Sequence, residues 1–339
     1  MDSVSQIALG AAIGVATMGR RTAVWKAALW GAVAGTLPDL DVFVDQGSPI
    51  LNMVLHRAES HALFWLTLFS LPFAAAIAKL QGEWPVWRRW WLAVWLALVT
   101  HPLLDTMTVY GTQLALPFTD HPFGVGSVFI IDPLYTVPLL VGTVWALCTR
   151  DRGRGLRANG IGLALSTAYL VWGVAVQHHV TQIAKESLAQ RGIAAEHLLV
   201  TPTALNSVLW RVVAMSGDSY HEGFHSLLDA DKRVTFDRFE RGNSLNAAVA
   251  DIDGVRRISA FSKGFYKVSE DAAGRVRITD LRMGMEPVYS FDFAVAERQA
   301  GGAVVPMQTP VQLGGRPDVP TVLSWQWERA LGNRVPPPR

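Results

Sequence analysis

Long apolar stretches broken by short polar ones fill the first half of the chain. Four of them, roughly 61–78, 90–107, 128–147 and 160–177, approach the about 20 residues that a bilayer crossing needs. Two shorter stretches, 4–18 and 23–37, come first and are separated by Gly19-Arg20-Arg21. As helices these reach only about 22 Å each, so they fit a tilted pair or a re-entrant hairpin. Their small residues, Gly10, Ala11, Gly14, Gly31, Ala34 and Gly35, suit close helix packing. Beyond residue 177 the period changes. A polar helix is expected to about residue 204, then strands near 208–215, 220–228, 233–239, 261–268, 275–282 and 288–297. Turn signals such as Ser216-Gly217-Asp218 and Asp271-Ala272-Ala273-Gly274 lie between them. The pattern predicts an α-helical polytopic membrane domain over 1–180, a small α+β, strand-rich extramembrane domain over 181–303, and a Pro/Gly-rich tail over 304–339.

Charge gives this plan an orientation. Arg20, Arg21 and Lys26 fall in one connection, Lys79, Arg88 and Arg89 in another, and Arg150, Arg152, Arg154 and Arg157 in a third. The alternate connections hold almost no Lys or Arg, and none occurs from 90 to 149. The positive-inside rule places the basic connections in the cytoplasm. The C-terminal domain is then expected outside a bacterial inner membrane crossed several times.

Composition agrees. Of 339 residues, 17% are charged and 13 are Trp, against about 25% charged in soluble domains. The net charge of +2, with Arg scattered, gives no nucleic-acid footprint. The lone Cys148 excludes an internal disulfide. Met1-Asp2-Ser3 lacks the basic start of a cleavable signal peptide.

Ionisable groups beside apolar stretches are costly and are usually functional. Pro38-Asp39-Leu40-Asp41, His56-Arg57-Ala58-Glu59-Ser60-His61, His101-Pro102-Leu103-Leu104-Asp105 and Asp132 all fall at the outward face of the expected topology. His101 and Asp105, four apart, share one helix face, although Pro102 distorts that turn. Asp39 and Asp41, two apart, point the same way in an extended loop. Taken singly, a helix-end Asp or a boundary His has an ordinary structural explanation. Taken together they suit zinc, manganese or iron(II), and their number allows two ions bridged by a carboxylate. Arg57 and Tyr110 are placed to hold an anionic oxygen, or to sit at headgroup depth.

These motifs resemble the bacterial membrane-bound metal-dependent hydrolases, also called LexA-binding, inner-membrane-associated hydrolases. The resemblance covers about residues 1–140 and includes Tyr110-Gly111-Thr112, Leu116-Pro117-Phe118 and Ile131-Asp132-Pro133-Leu134-Tyr135. It implies Asp39, Asp41, His56, His61, His101 and Asp105 as metal or catalytic residues. Many members have Thr-His near the start where this chain has Ser5-Gln6, a missing ligand for which Asp2 is the candidate substitute.

His221-Glu222-Gly223-Phe224-His225 matches the H-E-x-x-H signature of zinc proteases, but that chemistry needs a helix. The turn before it and the internal Gly223 predict a strand. The expected function is hydrolysis of an ester or phosphoester, small or lipid-like, by metal-activated water, with membrane lipid as a partner. The rival is a non-catalytic scaffold with a structural metal and a partner-binding outer domain. A transporter is weaker, because paired charges at mid-membrane are missing.

Overall fold

A computed structural model describes residues 1–315 and 318–339; two positions of the expected tail lie outside the described residues. Helices α1 (Ser3–Met18), α2 (Val24–Thr36), α3 (Pro49–Leu55), α4 (Leu63–Leu80), α5 (Trp87–Thr106), α6 (Pro133–Cys148) and α7 (Arg152–Gln190) follow one another. The chain divides into two compact units. The first is Met1–Val44, His56–Ala175 and Ala204–Asn206; the second is Asp45–Leu55, Val176–Thr203 and Ser207–Arg339.

In the first unit α1 starts where Asp2 accepts the Val4 and Ser5 amides at 3.0 and 3.1 Å, satisfying donors that a helix start leaves free. It then packs backbone to backbone on α2. A Cβ at Gly10 would lie 2.3 Å from the Gly31 carbonyl oxygen, and one at Gly31 would lie 2.2 Å from that of Gly10. Only glycine permits this approach. The core beside the pair is built from Met18, Ala34, Ile77, Trp90 and Leu98, where each large side chain contributes about 2–3 kcal/mol on burial. Polar contacts join α4 to α5: the Trp91 and Trp95 indoles donate to Ser70 and Thr67 at 3.0 and 3.1 Å.

The expectation of a polytopic membrane domain is not met. Among the described residues two helices, Leu63–Leu80 and Arg152–Gln190, are long and apolar enough to cross a membrane by length and composition. Stretch 128–147 fails because its first residues are not helical; Asp132 caps α6, which has 16 residues. Stretches 4–18 and 23–37 yield helices of 16 and 13 residues. Helix α5 is long enough, but it carries Arg88, Arg89, His101 and Asp105 and buries the last two in protein. An outward C-terminal domain, drawn from counting crossings, no longer follows.

The second unit is an α/β region. Strands β1 (His197–Pro202), β2 (Leu209–Ser216), β3 (Ser219–Ser226) and β4 (Thr235–Glu240) form one antiparallel sheet in sequential order. Next come α8 (Asn243–Val249) and α9 (Asp253–Phe261), then β5 (Tyr266–Glu270), β6 (Arg275–Asp280), β7 (Gly284–Met285), β8 (Val288–Tyr289), β9 (Asp292–Arg298) and β10 (Val304–Gln312), with α10 (Val319–Ala330) last. A second antiparallel sheet runs β10-β9-β6-β5. Alternation along β2 serves two cores. Trp210, Val212 and Ala214 pack with Val180, Ile183 and Ala184 of α7, while Val213 and Met215 pack with Tyr220 and Tyr289.

Three expectations differ here. The polar helix stops at Gln190, and β1 follows, seeded by Leu198, Leu199 and Val200. The strand expected over 261–268 starts late: Phe261 ends helix α9, and β5 begins at Tyr266. Val304–Gln312 is a strand rather than tail; at the sheet edge its Pro306 and Pro310 lose no ladder bond that matters.

The H-E-x-x-H segment lies on β3. Glu222 is fully buried, its carboxylate held by Arg211 at 2.7 Å and Arg339 at 2.6 Å. Its partners are cations, Arg211 buried in the core and Arg339 part-exposed. Glu222→Gln leaves the buried Arg211 guanidinium without a carboxylate, while Arg339 keeps Asp237, and is expected to cost about 3–5 kcal/mol of stability, read by denaturant unfolding, with metal content unchanged. Loss of metal without loss of stability would restore the protease reading.

Candidate metal centre

Three segments of the first unit converge on one point. After α2, Pro38 breaks the α-helix and the chain continues as a 3-10 turn, Leu37–Phe43, that carries Asp39 and Asp41. A second short turn, Glu59–His61, presents Ser60 and His61. Helix α5 supplies His101 and Asp105 from one face. One donor atom from each of Asp39, His61, His101 and Asp105 lies within 4.8 Å of every other. His61, His101 and Asp105 are completely buried.

Five of the six distances among these atoms match the edges of a tetrahedron. His61 Nε2 lies 3.1 Å from His101 Nε2, 3.4 Å from Asp39 Oδ1 and 3.2 Å from Asp105 Oδ2. His101 Nε2 lies 3.3 Å from Asp39 Oδ1 and 3.4 Å from Asp105 Oδ2. The sixth pair, Asp39 and Asp105, lies within 4.8 Å, so a point equidistant from all four donors falls about 2.0–2.4 Å from each, close to zinc–nitrogen and zinc–oxygen bond lengths.

Hydrogen bonds outside the tetrahedron fix the tautomers. His101 Nδ1 is 2.6 Å from the Gly35 carbonyl oxygen, which only accepts, so Nδ1 bears the hydrogen. The Ser60 hydroxyl donates to Asp41 Oδ2 at 2.7 Å and therefore accepts from His61 Nδ1 at 2.8 Å. In their neutral forms both rings turn an Nε2 lone pair toward the centre. Two lone pairs and two carboxylate oxygens at such distances repel unless a cation lies among them. Asp105 Oδ2 is also a buried oxygen without a hydrogen-bond donor. A divalent ion meets the demand in full. A proton meets it in part: burial opposes protonation of His101, but Asp105 and Asp39 outweigh it and the imidazole is pushed up to about 9. Burial raises the Asp39 carboxyl too, yet hydrogen bonds from His101 and His61 hold it well below the usual carboxylate range.

The other residues expected in the site take different places. Asp41 lies one layer out, accepting from His56 Nδ1 at 2.9 Å, the Arg57 amide at 3.0 Å and Ser60. Burial pushes its carboxyl up, and these bonds hold it down. Asp39 and Asp41 thus serve different partners, because the segment is a 3-10 turn and not an extended loop. Arg57 is buried with φ +67°, a left-handed backbone that costs free energy and recurs at functional sites. Its guanidinium lies 4.9 Å from the centroid of the Tyr110 ring and 3.3 Å from Asp105 Oδ1. Asp2 caps α1 and accepts from the Ser5 hydroxyl at 2.5 Å. Asp132 caps α6 and accepts from Tyr169 at 2.8 Å; burial raises its carboxyl against that bond. Neither belongs to the group of four.

Three contributors escaped the sequence reading. Ser60 orients His61, and the Gly35 carbonyl, an unpaired acceptor at the end of α2, orients His101. Gln6 Nε2 donates to Asp105 Oδ1 at 3.1 Å and to the His101 carbonyl at 3.2 Å. Ser60, inside the His56–His61 motif, and Gln6, at the position where many members of the similar family carry His, had a signal in the sequence; the Gly35 carbonyl had none. Such outer partners set ligand orientation, so Ser60→Ala is expected to weaken metal binding about 10–100-fold in a chelator competition titration. Unchanged affinity would remove Ser60 from the site.

Residues 1–180, more than half of the chain, match the family described as YdjM inner membrane protein. The chain belongs to that family, so it is an inner-membrane-family protein with a buried Asp/His cluster able to hold a metal ion. It is also 24% identical over 309 residues to the Uncharacterized protein YfhP of Bacillus subtilis (strain 168), covering 86% of this chain and 89% of that one. No solved structure matches the chain. The family description names a membrane and no reaction.

Proposed function

We propose that the protein is a divalent-metal-dependent hydrolase that acts on an ester or phosphoester at the inner membrane. Asp39, His61, His101 and Asp105 would hold the ion. A bound zinc or manganese ion lowers the pKa of water and polarises a carbonyl or phosphoryl oxygen. One observation carries the reading: three donors are fully buried, while the Asp39 side chain is 22% exposed. The group therefore meets solvent only on the Asp39 side, where a water would enter as a further ligand, the exchangeable position that a catalytic site needs. Arg57 adds the polarity that hydrolysis requires. Its Nε–H is buried without a partner, and its planar fork, braced on Tyr110, suits an anionic oxygen. Leu40, Val42, Phe43 and Val44, on either side of Asp41, are exposed. This apolar lip favours a lipid-like substrate.

The burial of the other three ligands favours a second reading, a closed structural site in a scaffold. Purified full-length protein, stripped and reloaded with zinc or manganese, separates the two when assayed on carboxylic esters, phosphomonoesters, phosphodiesters and anionic phospholipid. Hydrolysis by the reloaded protein alone, reduced about 100-fold or more in Arg57→Ala, is expected. Full metal occupancy without turnover on any class would sink the hydrolase and leave the scaffold.

A further inference from the structure

We infer that the centre holds one ion and not a bridged pair, because Asp105 is divided between the ion and a cation built into the protein, Arg57. The inference rests on the metal-binding reading above and sets its stoichiometry. A two-metal centre places its ions about 3.5–4 Å apart and needs donors that reach both. Asp105 Oδ2 faces the two imidazoles. Its other oxygen, Oδ1, lies on the far side among donors: Arg57 Nη2 at 3.3 Å, Gln6 Nε2 at 3.1 Å and the Met1 amino nitrogen. A second cation bridged by Asp105 would have to displace these groups, and would face the guanidinium at close range.

Gln6 strengthens the block. Its Nε2 touches two acceptors, Asp105 Oδ1 and the His101 carbonyl, so the amide can be oriented only one way. It presents N–H, which cannot ligate a metal, to the oxygen that a second ion would require.

Asp41 and His56 do not supply another site. They bond each other at 2.9 Å, and the remaining Asp41 oxygen already accepts from Ser60 and from the Arg57 amide. Among the described residues one cluster of three or more His and carboxylate groups is close enough to hold an ion, the four-residue group. Charge agrees with that count. Asp39, Asp41 and Asp105 carry three negative charges; a divalent ion and Arg57 balance them. A second divalent ion would therefore be buried without compensation.

The test counts ions on the intact chain. Full-length protein in detergent is stripped with chelator and titrated with manganese(II) or zinc(II), and bound metal per chain is measured by elemental analysis. Manganese-loaded samples are examined by electron paramagnetic resonance. We expect one ion per chain, the spectrum of an isolated manganese, and a count still at one in His56→Ala. Two ions per chain with a spin-coupled spectrum overturns the one-ion inference and leaves metal binding intact. No bound ion in either titration overturns the metal-binding reading itself.

Discussion

His101→Ala and Asp105→Ala are each expected to abolish metal binding, but to differ in what they do to the fold. Both ligands lie on one face of α5 and point at the same centre, so metal loss should exceed the about 10–100-fold expected of an outer residue such as Ser60. Removing His101 takes away a ring and relieves the facing lone pairs. The apoprotein should therefore stay folded. Removing Asp105 strips the carboxylate from buried Arg57, and a buried charge left without its partner costs about 3–5 kcal/mol. Elemental analysis with thermal unfolding of the two apoproteins checks both halves. Equal stability would show that Arg57 does not depend on Asp105, and metal retained in His101→Ala would misplace the centre.

The α1–α2 crossing should be as sensitive as any ligand. In Gly31→Val the first added carbon would fall 2.2 Å from the Gly10 carbonyl oxygen, and no rotamer moves a Cβ. Backbones must separate, at or above the about 1–3 kcal/mol typical of overpacking. The site suffers with the fold, because α2 carries the Gly35 carbonyl to His101 and α1 carries Gln6 to Asp105. Gly160→Ala on α7 is the control: a Cβ there meets nothing within 4 Å, and alanine gains about 1 kcal/mol of helix propensity. Gly31→Val should lose both its unfolding transition and metal binding, while Gly160→Ala keeps both. A Gly31→Val protein with normal unfolding would mean that the helices are not in backbone contact.

What was legible in the sequence followed from local spacing. The four-residue interval fixed His101 and Asp105 on one face, and the small residues of α1 and α2 announced a close crossing. The turn before His221 and Gly223 within the motif pointed to a strand, where β3 lies. Apolar content was a poorer guide. Stretch 128–147 is mostly apolar, yet Asp132 within it starts the helix late by accepting the Leu134 amide. The contacts that orient the candidate ligands from outside left less trace. Neither the reach of Gln6 across to α5 nor the use of a helix-end carbonyl at Gly35 has a sequence period, because both depend on where two helices cross. Asp41 shows the same limit: its spacing from Asp39 was read for an extended chain, and a 3-10 turn sent it to His56 and Ser60 instead.

Metal-edge X-ray absorption on the zinc-loaded, full-length protein tests the centre most directly, since it reports the ligand atoms themselves. Nε2 of His61 and His101 with oxygens of Asp39 and Asp105 predicts a first shell of nitrogen and oxygen only, at about 2.0–2.2 Å, with outer-shell scattering from two imidazole rings. The imidazole signal should fall to one ring in any residual metal bound by His101→Ala. A shell without imidazole, a sulfur neighbour, or no stoichiometric zinc would contradict the account.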